Sequence, residues 1–461
     1  MPSTILSQHR ALWLCVAIFA VTSALRASTN HHVILITIDG AAAYYLSDSN
    51  APLPTLRKLA SEGAVAEGMR VSNPAITWPN HTTLVTGVHP EKHSVLFNGV
   101  LVRSGPGRPV RVDAQRDKSE LVAVPTLYDH LHRAGYRTAE INWPCTRRAT
   151  TLDDSFPDVP DQVTYMTSRL RDELIARRAL EGTNDAAFRA KSAAMKDQIW
   201  TTAAAHVLRE RHPNLTLLHM LICDSTQHKY GPQSPAAYTA LALADAQLSE
   251  VLRAVDAAQI RERTTLIVTS DHGFETALKI INANVAFRKA GLLEVASAPG
   301  ILRARAQIIS EGGIAMVYFT DPATLADDRA TVLALMRKHE GIADILTPEQ
   351  FPALRLPSPA TNRQMADLIL VAKVGYAFNN EAHSEDSITE VTLADGNQGH
   401  HGFLSSHAKM NAVFVAWGRG IKPGGHLGII DNIDVAPTIA YLLGQSLPGA
   451  DGRVLREILT D

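Results

Sequence analysis

The chain has 461 residues, of which 46% are hydrophobic, 20% charged and 6% aromatic, enough apolar material for a large packed core. This excludes a disordered, collagen-like or coiled-coil chain and a multi-span membrane protein. With 44 Lys and Arg against 46 Asp and Glu, the net charge is −2; no general basic surface exists for a nucleic-acid polymer, so phosphate chemistry must come from a local site.

Residues 1–27 carry His9 and Arg10, an apolar run from Ala11 to Leu25, and small residues at Ala24 and Ala27. They read as a signal peptide, since a membrane span needs roughly 20 apolar residues. The expectation is an exported chain, periplasmic or secreted, without a stable membrane anchor. Export permits a disulfide between Cys145 and Cys223 and leaves two unpaired core thiols equally open. Nineteen His beside three Cys favour nitrogen and carboxylate ligands, and no cysteine pair has finger spacing.

Beyond residue 27, β-branched runs at 33–38, 137–141, 215–222 and 264–269 alternate with helical stretches at 53–62, 192–211 and 235–255. The rhythm predicts an α/β fold: a mostly parallel central sheet covered by helices on both faces. Pro106 to Asp117 reads as a solvated hairpin. The stretch from about 279 to 395 breaks the rhythm with Gly312-Gly313, several prolines and polar loops, as an inserted cap would. A strand at 412–416 and a helix at 435–443 then resume one interrupted core domain spanning 28–461.

Two nearly continuous β-branched runs end in acids, Asp39 and Asp271, where open α/β sheets deliver their sites. Asp224 and His228 stand one helical turn apart. With His272 and the pair His400-His401, these clusters hold enough carboxylates and imidazoles for two hard or borderline cations. Pro79 suits a first helical turn, placing Thr77 just before a helix whose free N–H groups favour an anion. Metal coordination is a direct way to make a Thr hydroxyl nucleophilic.

Five segments resemble the alkaline phosphatase superfamily and, within it, the nucleotide pyrophosphatase/phosphodiesterase family. They are Ile36 to Gly40, the run from Thr77 to Gly87, Asp224 to Pro232, Ser270 to Gly273, and His401-Gly402-Phe403. The resemblance implies an alkaline-phosphatase-like fold and two zinc ions. Asp39, Thr77, Asp271 and His272 would hold one ion, and Asp224, His228 and His401 the other. It further implies that Thr77 is the nucleophile of an in-line displacement through phosphothreonine, with Asn98 donating to a phosphoryl oxygen. Trp78 stands where the family places an aromatic for a substrate group, so a nucleobase could stack there. Asn142-Trp143-Pro144 resembles the family's Trp-Pro element, while Gln227 and His219 depart from its usual Gly and Tyr. The substrate implied is a small phosphodiester or nucleotide. Gln227-His228-Lys229 also resembles phosphonoacetate hydrolase, for which Arg147 and Arg148 could bind a second anionic group; phosphomonoester hydrolysis is a further alternative.

Overall fold

The computed structural model describes residues 30–460 apart from 159–161, 298–299, 393 and 395. The signal reading of 1–27 therefore falls outside the described residues. Among the described residues no helix is long and apolar enough to cross a membrane.

Strand β1, His32–Ile38, is buried along its whole length because its alternating side chains enter two covered faces. Ile34 and Ile36 pack toward helices α1 (Pro54–Glu62), α3 (Ala193–Arg211) and α5 (Pro235–Ala257). Val33 and Leu35 belong to the opposite layer, which includes Leu84 of helix α2 (Thr77–Thr86) and Ile439 of α6 (Val435–Leu442). A sheet with helices on both faces follows from this two-sided burial.

The central sheet adds β2 (Ala64–Arg70), β3 (Thr138–Pro144), β4 (Asp154–Asp158), β5 (Leu215–Met220) and β6 (Thr264–Thr269). Within 279–395 lies a separate four-stranded antiparallel sheet of β7 (Ala306–Ser310), β8 (Ile314–Phe319), β9 (Ile342–Leu346) and β10 (Leu368–Ala372). The chain then returns to the central sheet through β11 (Phe414–Gly418) and β12 (Gly425–Asp431), giving the order β12-β2-β11-β6-β1-β5-β3-β4. All neighbours are parallel except β11, which runs against both β6 and β2.

One boundary differs from the sequence expectation in a way that shapes the site. The apolar run through residue 222 stops being a strand at Met220, and helix α4, Ile222–Tyr230, begins there. Asp197, buried on α3, accepts the N–H groups of Leu221 and Ile222 at 2.8 Å each. This carboxylate serves the orphan amides of a starting helix, so the backbone turns helical despite its apolar sequence.

Candidate active site

The parallel register of β1 with β5 and β6 aligns Thr37 with both His219 and Thr269, so the residues after all three strands emerge at one edge. Asp39 follows β1, Asp271 and His272 follow β6, and α4 after β5 carries Asp224 and His228 on successive turns. Gly40 turns the chain away at φ +71, where a Cβ would lie 2.5 Å from the Phe274 ring; only glycine suits both constraints.

The side chains converge. His272 Nε2 lies 3.3 Å from Asp39 Oδ1 and 3.2 Å from Asp271 Oδ2. Asp224 Oδ1 lies 3.4 Å from His228 Nε2 and 3.6 Å from His401 Nε2. Asp224, His228 and His401 form one group with ligand atoms mutually within 4.8 Å, and Asp39, Asp224 and His272 form another. Asp224 thus stands between the two loci the sequence suggested. His228 Nδ1 donates to the Gly399 carbonyl at 2.9 Å and His401 Nδ1 to that of Ala75 at 3.2 Å, which turns both Nε2 lone pairs inward.

Among the described residues, four buried atoms in this cluster, Asp39 Oδ1, Asp224 Oδ1, Asp271 Oδ2 and His272 Nε2, find no hydrogen-bond partner. Buried polar atoms rarely stay unpaired, and three carboxylates in one dry site repel one another. Burial and the adjacent Asp271 and Asp224 charges push the Asp39 carboxyl well above its usual range. Burial opposes ionisation of Asp224 as well, but the imidazoles of His228, His401 and His272 outweigh it and hold that carboxyl low. Burial and the neighbouring His272 and His228 push His401 well down, so it stays neutral and able to ligate. The donor set fits hard or borderline divalent cations.

Thr77 is the first residue of α2, so the helix starts one position earlier than the sequence reading placed it. Its carbonyl accepts from His81 Nδ1 at 2.9 Å, and that nitrogen lies 3.6 Å from Asp271 Oδ2. On its other side, Ala75 holds His401. Thr77 is thereby tied to both groups of ligands. The helix N-terminus offers fewer amides than the sequence suggested: the Trp78 N–H is taken by Asn98 Oδ1 at 2.9 Å, and Pro79 has none. That bond occupies the acceptor end of the Asn98 carboxamide.

A cavity of about 310 Å³ opens beside the cluster, lined by Ile76, Asn98, His228, His400, His401, Glu311 and the carboxamides Asn379, Asn380 and Asn397 among others. Trp78 is not among its lining residues. That indole is 5% exposed, packs with Val95, Leu121 and Cys145, and donates to Asp158 at 3.1 Å. Trp143 is fully buried in the core. Arg147 and Arg148 both pair with Asp117 and lie over the Tyr165 ring, so their charges are already answered. Cys145 and Cys223 are free buried thiols, and burial pushes the Cys145 thiol up to about 12.

Several positioning residues escaped the sequence reading. His219, read there only as a departure from the family, holds Asp39 Oδ2 through Nε2 at 2.9 Å, and burial keeps its imidazole neutral. Its signal was the strand end it shares with Asp39. His81 bonds Thr37, Thr77 and faces Asp271. Gln227 donates to the Gly40 carbonyl and accepts from Tyr45.

The family model for type I phosphodiesterase / nucleotide pyrophosphatase matches residues 33–404. Ectonucleotide pyrophosphatase/phosphodiesterase family member 7 of Mus musculus is 23% identical over 467 residues, covering 98% of this chain and 93% of the relative. Venom phosphodiesterase 2 of Crotalus adamanteus is 24% identical over 247 residues, 53% of this chain and 27% of that protein. Among solved structures, murine ectonucleotide pyrophosphatase / phosphodiesterase 5 superposes with a TM-score of 0.68 at 19% identity, over 93% of this chain and 100% of that one. An inactive variant of the same murine protein, in complex with AMP, gives 0.69 at 18% identity, with the same coverage.

Proposed function

Because the chain belongs to the type I phosphodiesterase / nucleotide pyrophosphatase family, we propose that it is an exported two-zinc hydrolase cleaving phosphodiester or nucleotide pyrophosphate bonds through phosphothreonine at Thr77. The observation that carries this reading is the set of four unpartnered buried atoms on Asp39, Asp224, Asp271 and His272, at the edge where α2 begins with Thr77. Asp39, Asp271, His272 and Thr77 would hold one ion, and Asp224, His228 and His401 the other. Bound there, two zinc ions supply positive charge beside the phosphoryl oxygens and lower the proton affinity of a neighbouring hydroxyl.

The chain's own groups do the rest. Asn98 Nδ2 and the Thr77 N–H donate to non-bridging oxygens where charge develops. Thr77 Oγ1 gives up its proton to solvent and attacks phosphorus, and the opposite ester P–O bond breaks to release one substituent with its oxygen, which takes up a proton from solvent. Water then attacks phosphorus, breaks the Oγ1–P bond and restores the hydroxyl, releasing the phosphate that bears the second substituent. Among the described residues no Lys or Arg lines the cavity. A monoester dianion finds no added cation there, whereas the single charge of a diester needs none, which favours the diester. Export rests on the composition of residues 1–27.

The test is a panel with purified zinc-loaded protein: an aryl phosphodiester, the matching monoester, a dinucleotide and phosphonoacetate. The diester or the dinucleotide should show the highest kcat/KM. Fastest turnover of the monoester or of phosphonoacetate would overturn the assignment.

A further inference from the structure

Strand β5 lies between β1 and β3, and its register sets His219 beside Thr37 and Leu218 beside Ile141. His219 therefore stands between Asp39, just past the end of β1, and Asn142 near the end of β3. Both of its ring nitrogens are engaged. Nδ1 lies against Asn142, 3.0 Å from the carbonyl oxygen and 3.3 Å from Nδ2, and Asn142 Nδ2 also donates to the His219 carbonyl at 3.1 Å. Nε2 lies 2.9 Å from Asp39 Oδ2, and an ionised carboxylate only accepts, so Nε2 donates there. The His81 ring closes the remaining side, its centroid 4.3 Å from that of His219. Asn142 itself is held in a left-handed turn, φ +59, by the Trp143 N–H donating to Glu140 Oε2 at 2.9 Å.

The consequence falls on the carboxylates. Asp39 has one oxygen spent on His219 and one, Oδ1, that finds no partner among the described residues. Asp271 is divided in the same way: Oδ1 accepts from the Gly40 N–H at 3.3 Å, with Ser270 Oγ at 3.1 Å, while Oδ2 finds no partner. The two open oxygens lie 3.3 and 3.2 Å from His272 Nε2. Ligands about 2.0 Å from a tetrahedral ion stand about 3.3 Å apart, so this spacing is the edge of such a tetrahedron.

We propose that His219 is a positioning residue that confines Asp39 to one-oxygen ligation, so that the locus of Asp39, Asp271, His272 and Thr77 takes a four-coordinate ion and disfavours cations that collect six or more oxygens. The inference rests on the two-ion reading of the same site and goes beyond it by assigning the choice of ion to a residue that does not ligate. Calcium takes carboxylates through one or both oxygens and needs six to eight donors; a carboxylate with one oxygen already bonded cannot supply the second.

The experiment uses the full chain, stripped by chelation and reloaded with cobalt(II), whose four-coordinate complexes absorb visible light far more strongly than six-coordinate ones. Absorbance is read per bound cobalt, so an unfolded fraction does not count. His219→Asn keeps an amide beside Asn142 but is too short for Asp39, whereas His219→Gln reaches Asp39 with an N–H. The Asn variant should lose roughly half of the native absorbance, the share of one ion in two, and the Gln variant should keep most of it. In dialysis of zinc-loaded protein against excess calcium, native and Gln proteins should retain their zinc, while the Asn variant should lose about one ion per chain. No change in either variant, or equal loss in both, would overturn the role of His219. Fewer than one tightly bound ion per chain in the native protein would overturn the two-ion reading and this inference with it.

Discussion

Replacing Asp197 by Asn tests whether the start of α4 is what presents Asp224 and His228. The native carboxylate is fully buried and gives one oxygen to each of two backbone N–H groups, both at 2.8 Å. Asn keeps the shape but can accept only one of them, and its NH2 meets the other N–H donor to donor. One charge-assisted bond, about 1.5–3 kcal/mol, is lost; removing a buried charge returns part of that, for a net cost of about 2 kcal/mol. The loss falls on the first turn of α4, where Asp224 stands third. Urea unfolding of chelated protein should show the lower stability. Zinc competition against a chromophoric chelator should show the weaker ion bound about ten- to a hundredfold less tightly, as when a group that orients metal ligands is removed. An Asn variant with the native urea midpoint and both native zinc affinities would refute the reasoning.

Thr77→Ala should lower diester turnover by roughly a thousandfold or more while zinc content stays near native, because three carboxylates and three imidazoles remain; steady-state kinetics with elemental analysis checks both. Gly402→Ala should destabilise the ligand loop, since the new Cβ has no room beside the Glu311 carbonyl and φ is +72; its cost of more than about 1 kcal/mol is read by urea unfolding and should come with loss of zinc at the site of His401. Burial and the nearby His89 push His93 down to about 3, so it folds neutral. Its folded pKa lies below the unfolded value near 6.5, so its stabilising contribution is complete above that pH and is lost as pH falls toward 3, by up to about 1.4 kcal/mol per unit. Stability measured from pH 7 to pH 4 should therefore decline, and His93→Gln should flatten the decline by that slope.

The central strands and their acids were readable because a strand buried on both faces must be apolar or β-branched throughout, as in 264–269, and because a carboxylate at such a strand's end is costly without a purpose. The direction of β11 was not readable, since a doubly buried strand has the same composition whichever way it runs. The sheet of β7 to β10 showed in sequence only as a break in the helix-strand rhythm. The early start of α4 was hidden for a different reason: it depends on Asp197, a residue 24 positions before Leu221, and local apolarity still favoured a strand. Metal-ligand residue types stood out in short motifs, while the groups that orient them did not. His219 finds Asp39 from 180 positions away, and Glu311 reaches the cavity from a cap whose docking no local pattern encodes. Side-chain direction was equally invisible: adjacency to Thr77 said nothing about Trp78 turning into the cluster around Val95.

The central claim is that the unpaired atoms of Asp39, Asp224, Asp271 and His272 exist to hold two metal ions beside Thr77. Elemental analysis after zinc loading and exhaustive desalting, run alongside diester hydrolysis, tests it most directly. The account predicts about two zinc ions per chain and loss of both metal and activity on chelation, with activity returning on zinc readdition. Fewer than one tightly bound ion per chain in a preparation that hydrolyses the diester at full rate would contradict it.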